Sequence, residues 1–296
     1  MTLQADLETT AAPAVTGEDG ASPVGTGSTA GRHRPIDVLG PIAGLVVFVG
    51  LWWLMHAWIL ENVFDKPSFL VPSPATVVDR AYLDAAVRGD MLQALGWTAL
   101  VALCGVAVSI VVGTLLAVVM AQATWIERSF WPYLIAAQAI PILAIVPILG
   151  NVFGFGFGTR ILVCVIISVF PIVSNTLFGL LSADPSQHDL FTLKGASRWT
   201  RLIKLQLPSA TPAIFTGYRI AAGLSVIGAV VGELFFRQGG KGIGILMDEY
   251  RGRGQWPQTY GALVLSSLLG VAVFMFFGWL SNLVIGRWHE STRKSG

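Results

Sequence analysis

Two charged side chains interrupt the apolar stretch TGYRIAAGLSVIGAVVGELFF: Arg219 near its start and Glu233 near its end. An ionisable group at membrane depth costs about 2.5 to 3.5 kcal/mol on insertion scales and is by default a candidate for function. Arg219 is a permanent cation that either attracts an anionic solute or snorkels to the inner headgroups. Glu233 reads as a group at the outer interface, bonded to a neighbour. A helix rises about 1.5 Å per residue, so the two lie about 21 Å apart and cannot pair within one helix. Candidates to line a path are therefore Arg219, Ser225 and Glu233 here, with Pro141, Pro147 and Asn151 in an earlier segment.

Residue spacing supports little other chemistry. His33, His56, His188 and His289 are dispersed singly and make no metal-ligand spacing. No Ser or Cys lies in a nucleophile motif with a His partner. No G-x-x-x-x-G-K-[ST] occurs, so the chain has no loop of its own to cradle ATP phosphates. Cys104 and Cys164 each sit within an apolar run and read as packing thiols, not a disulfide framework.

Basic residues gather in one short interval, DLFTLKGASRWTRLIKLQLP, Asp189 to Pro208. Lys194, Arg198, Arg201 and Lys204 recur at helical spacing and would lie along one side of a helix, with Trp199, Leu202 and Ile203 on other faces. Gly195 lowers helix stability by about 1 kcal/mol relative to Ala and invites a turn between two short helices. Pro208 then closes the second one. On charge alone the segment reads as a basic amphipathic helix on anionic lipid.

The elements that hold these groups follow from composition. The chain has 296 residues, 54% hydrophobic and 12% charged, with mean hydropathy +0.68, against about 25% charged in soluble domains. This is a membrane protein. The net charge of +2, scattered over loops, indicates no nucleic-acid partner. A bilayer-crossing helix needs about 20 apolar residues, and six segments qualify: roughly 38–60, 94–120, 130–150, 160–182, 211–236 and 260–286. An all-α polytopic bundle with six transmembrane helices is expected, over a domain at 35–290. Residues 1–34, acidic and rich in small residues, read as a disordered tail, and 291–296 as a short C-terminal one. The even span count puts both termini on one side. With the termini inside, ten Lys and Arg fall inside and eight outside, Arg160 among the outer set, a lean toward that orientation.

Small residues recur four apart in two spans: Gly105, Ser109, Gly113 and Ala117, then Gly217, Ala221, Ser225 and Ala229, with Glu233 next. That spacing lets helix backbones approach. In AIPILAIVP, Pro141 and Pro147 should each kink the third span, and Gly154, Gly156 and Gly158 should end it. Val77, Val78, Tyr82 and Leu83 predict one amphipathic helix over 73–93 at the outer surface. The loop 237–259 offers a mixed-charge docking surface for a partner.

The Asp189–Pro208 interval resembles the cytoplasmic signature of binding-protein-dependent ABC importer permeases, E-A-A, three residues, Gly, nine residues, I-x-L-P. Asp189, Leu190 and Phe191 stand in the E-A-A positions, where Asp replaces Glu and Leu and Phe replace alanines; Gly195, Leu205, Leu207 and Pro208 keep the spacing. PSFLVPSP, IPILAIVPILGNVFGFG and GKGIGILM resemble, in order, segments of the nitrate, sulfonate and taurine subfamily, so the likeness spans roughly 65–285. The resemblance implies a coupling loop at about 183–209 in the cytoplasm. Asp189, Phe191, Gly195, Ala196, Arg198, Leu205, Leu207 and Pro208 would then meet an ABC ATPase, and that ATPase would bind ATP and Mg. It further implies an extracytoplasmic substrate-binding protein, a second permease chain as a homodimer, the bacterial inner membrane with both termini cytoplasmic, and a small anionic solute of the sulfonate, taurine or nitrate class. Proteins of this resemblance also handle uncharged heterocycles such as vitamin precursors. An ion-coupled secondary transporter is the rival class. It would show inverted repeats, and no convincing repeat occurs.

Overall fold

The computed structural model describes residues 35–236 and 240–293. The tail at 1–34, the end of the C-terminal tail, and the cations Arg32, Arg34, Arg237 and Lys294 used in the charge count lie outside them. All regular secondary structure among the described residues is helical. In order they form α1 (Pro35–Leu54), α2 (Leu60–Asn62), α3 (Pro74–Val77), α4 (Ala85–Met120), α5 (Thr124–Ala139) and α6 (Ile142–Phe153). Then come α7 (Phe157–Leu181), α8 (Pro185–Leu193), α9 (Arg198–Arg201), α10 (Leu207–Phe235), α11 (Ile243–Gly252) and α12 (Trp256–Arg293). Short π-helical turns join α1 to α2, extend α3, and join α9 to α10. The chain divides into two units between Val47 and Phe48, inside α1, and the helix bundle belongs to the second.

Five helical runs are long and apolar enough to cross a bilayer: Ile42–Asn62, Ala85–Met120, Phe157–Leu181, Arg198–Phe235 and Trp256–Gly286. A sixth appears when α5 and α6 count as one broken span, bent by 97°. The expected third span is therefore not one kinked rod. Ile140 and Pro141 adopt extended backbone and separate two helices, because Pro141 has no amide to continue the ladder. Pro147, expected to kink the chain as well, sits inside α6 without breaking it. Gly154, at φ 85°, ends α6 in a conformation that other residues rarely adopt, and Gly156 is extended. Gly158, expected to stop a helix, lies in the first turn of α7.

The core forms where α4, α7 and α10 meet, joined by α12: Val106, Cys164, Ile172, Ala221, Val226 and Phe277 pack together. Both small-residue stripes are buried at this junction. A Cβ on Gly105 would overlap Cys164 Cβ, and one on Gly228 would stand 2.9 Å from Cys164 Cα, so α7 is gripped closely from two sides. Interhelical polar contacts add to van der Waals packing where lipid supplies no hydrophobic drive: Ser109 and Ser168 hydroxyls are 2.7 Å apart, and Ser225 donates to the Ala102 carbonyl at 2.7 Å. Gly105→Leu is expected to overpack this junction and destabilise the protein by about 1–3 kcal/mol, read as a lower thermal midpoint in detergent.

At the end of the bundle remote from the Asp189–Pro208 segment, α11 buries Ile243, Leu246 and Tyr250 against Met91 and Ala94 of α4 and Ala262 of α12. Trp52 donates to the Pro72 carbonyl at 3.1 Å and stacks on Tyr260, while the Tyr82 hydroxyl donates to the Gly261 carbonyl at 2.9 Å. The single helix expected over 73–93 is divided. Asp84 is extended and its carboxylate accepts the Ala86 and Val87 amides, capping α4, so residues 85–93 belong to the second span. Val77 and Ala81 are the buried positions before it, whereas Val78 and Leu83 are exposed.

Candidate functional site

The Asp189–Pro208 segment is a bent arm with two built-in stops. Its first helix, α8, starts with Asp184 as cap: the Ser186 hydroxyl and amide donate to the carboxylate and hold it below the usual carboxylate range, so the cap is lost only as pH falls through that lowered value. It ends in a Schellman motif. Gly195, at φ 64°, donates to Thr192, and Ala196 donates to Phe191, both at 3.0 Å. Nothing lies within 4 Å of where a Gly195 Cβ would be, so backbone conformation alone demands glycine there. Ser197 then caps α9 by accepting the Thr200 amide at 3.2 Å. Arg201 reaches back across the bend to the Thr192 hydroxyl at 2.9 Å, tying the two helices together.

Two expectations for this arm change. Lys194 is not on one helical face with Arg198, Arg201 and Lys204, because the Gly195 turn separates them. Pro208 closes no helix. A π-helical turn over Leu202–Gln206 precedes it, and the chain stays helical from Arg198 to Phe235 with Pro208 in the first turn of α10, where its missing amide is tolerated. Leu202 and Leu205 are buried, Leu202 packing with Leu180, Ala210 and Ile214, which anchors the arm to the ends of α7 and α10. Leu190, Leu193, Trp199 and Ile203 are 50%, 86%, 69% and 60% exposed, an apolar set larger than a solvated loop keeps without a partner. Asp189 and Arg198 are exposed beside them; Phe191 and Ala196 are half-buried. Ser197→Ala should weaken α9 by about 0.5–2 kcal/mol, measured as faster protease cleavage within 194–200 in membranes.

The six path candidates do not share one surface. Pro141 and Asn151 are exposed on the bent α5–α6 pair, and Pro147 is half-buried there. Ser225 and Glu233 are fully buried in the protein interior. Arg219 is exposed toward α12, its Cζ 4.1 Å from the Phe274 ring centroid.

Glu233 belongs to a latch at the remote end of the bundle. Its Oε2 accepts the Thr98 hydroxyl at 2.9 Å and the Gly244 amide at 3.0 Å, and Thr98 Oγ1 accepts the Ile243 amide at 2.8 Å. Gly242 lies so close that a Cβ there would overlap the Glu233 carboxyl group. Arg160, only 1% exposed, donates to the Gly240 carbonyl at 2.8 Å and the Phe236 carbonyl at 2.7 Å, and its charge interacts with the Glu233 carboxylate. The charge pattern alone makes Arg160 an outer-loop cation and gives no reason to single out Thr98. The available signal is that Arg160 falls at the start of an apolar run directly after the glycine turn. Beside the latch, Asp90, Gln93 and Trp97 of α4 face Lys241, Glu249 and Arg253 across a cleft of about 350 Å³.

A family described as the inner membrane component of binding-protein-dependent transport systems matches residues 109–290. The formylaminopyrimidine transport permease protein of Halalkalibacterium halodurans is 32% identical, over 78% of this chain and 91% of its own length. The riboflavin transport system permease protein of Chloroflexus aurantiacus is 33% identical over 76% and 82%. The nitrate import permease protein of Synechococcus elongatus is 25% identical over 81% and 87%. Among solved structures, an amino acid ABC transporter crystallised with histidines matches with a TM-score of 0.51 at 16% identity, covering 67% of this chain and 93% of that one, a likeness of fold.

Proposed function

The chain belongs to the family of inner membrane components of binding-protein-dependent transport systems, and from that premise we propose how its arm and spans work as the permease of an ABC importer. The arm from Asp189 to Pro208 faces the cytoplasm, as do both termini. Its exposed apolar set, Leu190, Leu193, Trp199 and Ile203, seats in a separate ATPase subunit that binds ATP and Mg. The observation that carries this reading is the pairing of that exposed set with a rigid mount: the Gly195 bend, the Arg201–Thr192 tie and an unbroken helix into α10. Closure of the ATPase pair moves the arm, and α10 moves with it. A second copy of this chain completes the path, and an extracytoplasmic binding protein docks across the cleft between Trp97 and Glu249.

The proposed solute is a small heterocycle related to a vitamin or its precursor. Support comes from two relatives, at 32% and 33% identity, named for formylaminopyrimidine and riboflavin transport, and from the burial of Arg160, whose guanidinium is spent on backbone carbonyls. A small anion of the sulfonate, taurine or nitrate class is the second reading, favoured by the exposure of the Arg219 guanidinium.

Purification of the tagged chain from its native membrane is expected to bring down an ATPase subunit, and Leu193→Cys is expected to react with a thiol reagent only from the cytoplasmic side. A chain that accumulates solute in vesicles without any nucleotide-hydrolysing subunit would rule the reading out. Calorimetric titration of the cognate binding protein with a pyrimidine, riboflavin, taurine and nitrate would separate the two solute classes.

A further inference from the structure

Two cavities open in series along the face shared by α10 and α12. The one nearer the arm, about 600 Å³, is walled by Thr211, Phe215 and Tyr218 of α10 and Val284 and Ile285 of α12. The one beyond it, about 610 Å³, is walled by Gly223, Ile227, Ser266, Ser267 and Gly270. Arg219 stands at the boundary, between Tyr218 of the first wall and Ile220 of the second. Its guanidinium lies over Phe274, which also lines the second cavity. Gly278, one turn further along α12, lies close against the guanidinium: a Cβ there would be 3.3 Å from Cζ and Nε, so only a glycine leaves it room.

The position of this cation in the span argues against an anchoring role. Along α10 it is about 18 Å from Leu207 and about 24 Å from Phe235 at about 1.5 Å per residue, about three turns or more from either end of the helix, whereas snorkelling serves cations near helix ends. Arg219 is exposed and rests on the Phe274 ring; it makes no hydrogen bond to another described residue. Five N–H donors facing hydrocarbon with no acceptor are unfavourable, so charged groups at this depth face a wet cavity or a partner. Arg160 offers the contrast within the same chain, since its donors end on backbone carbonyls.

We propose that the α10–α12 face lines the translocation path, and that Arg219 held over Phe274 is a constriction between an outer and an inner chamber where the guanidinium meets acceptor atoms of the passing solute. This rests on the permease reading above. The shared chemistry is an acceptor-bearing small molecule, either the ring nitrogens and carbonyls of a heterocycle or the oxygens of an oxyanion. The phenyl ring supports the guanidinium from one side, and its donors make no hydrogen bond to another described residue that would compete with the solute.

Labelling with a charged, membrane-impermeant methanethiosulfonate tests the face directly, in the transporter assembled with its ATPase in native membranes. Ser267→Cys, in the outer chamber, should react at least ten-fold faster than Leu115→Cys, an exposed position on α4 away from this face, each corrected for the parent's own two cysteines. Equal and slow labelling at both positions overturns the proposal, because the face is then covered by lipid or by dry protein. Uptake gives the second measure, with a labelled pyrimidine and nitrate as probes. Arg219→Ala should reduce uptake at least ten-fold while binding-protein-stimulated ATP hydrolysis persists, and parental uptake in that variant overturns the constriction. Uptake retained by Arg219→Gln and lost in Arg219→Lys assigns a neutral heterocycle, and the reverse assigns an oxyanion. Absence of stimulated hydrolysis in the parent would instead count against the permease reading, and the cysteine labelling separates the two failures.

Discussion

Gly195→Val is expected to abolish uptake while leaving the protein at parental levels in the membrane. The Gly195 backbone is left-handed, at φ 64°, and its surroundings are open, so the substitution meets no clash. What it meets is conformational strain of about 1–3 kcal/mol for a non-glycine residue in that region, at the upper end for a β-branched one. The local remedy is to abandon the Schellman bonds from Gly195 and Ala196 to Thr192 and Phe191. The bend then opens, the Arg201–Thr192 tie is lost, and the arm presents Leu193 and Trp199 at the wrong angle to each other. Insertion is untouched because the spans do not depend on this turn. Gly195→Asn is the matched control, since asparagine tolerates left-handed backbone; it should keep most uptake. If Asn and Val variants lose uptake equally, the side chain itself is the fault and the conformational account is wrong.

Glu233→Ala should have the opposite signature, a loss of folded protein rather than of coupling. Removing the carboxyl leaves the Gly244 amide without its acceptor and takes away the negative charge beside Arg160, in a site with no exposure. Breaking a buried ionic contact from one side typically costs about 3–5 kcal/mol, a large share of the 5–15 kcal/mol that holds most proteins together. A markedly lower thermal midpoint in detergent and reduced membrane abundance are expected. Glu233→Gln keeps an acceptor for both donors and should fall between. A parental midpoint for the Ala variant would mean that the loop and α11 are held by apolar packing alone.

Much of the architecture is legible in the sequence because lipid imposes it. A span must be long and apolar, and helices that approach without a hydrophobic drive need small residues four apart; Gly105 to Ala117 and Gly217 to Ala229 carry that spacing and are buried as it implies. Gly195 is legible for a different reason, since a glycine amid otherwise good helix formers has few uses besides a bend. Pro141 and Pro147 are not separable, because a proline interrupts one hydrogen bond wherever it stands, and whether the helix breaks depends on what the neighbours can satisfy. The latch is the least visible part. Glu233 stands out in the sequence as a charge in an apolar run, but Thr98, Arg160 and Gly242 each read as an ordinary polar or small residue; only their meeting in space makes a site. The order of the cavities along α10 and α12 is hidden for the same reason.

The π-helical turn at Leu202–Gln206 makes the arm and α10 a single crank, with no slack joint between handle and shaft. On the proposed coupling role, a push received at Trp199 would reach the middle of the bilayer as twist and tilt of the entire rod. Inserting even one flexible residue there would let the handle swing while the shaft stood still.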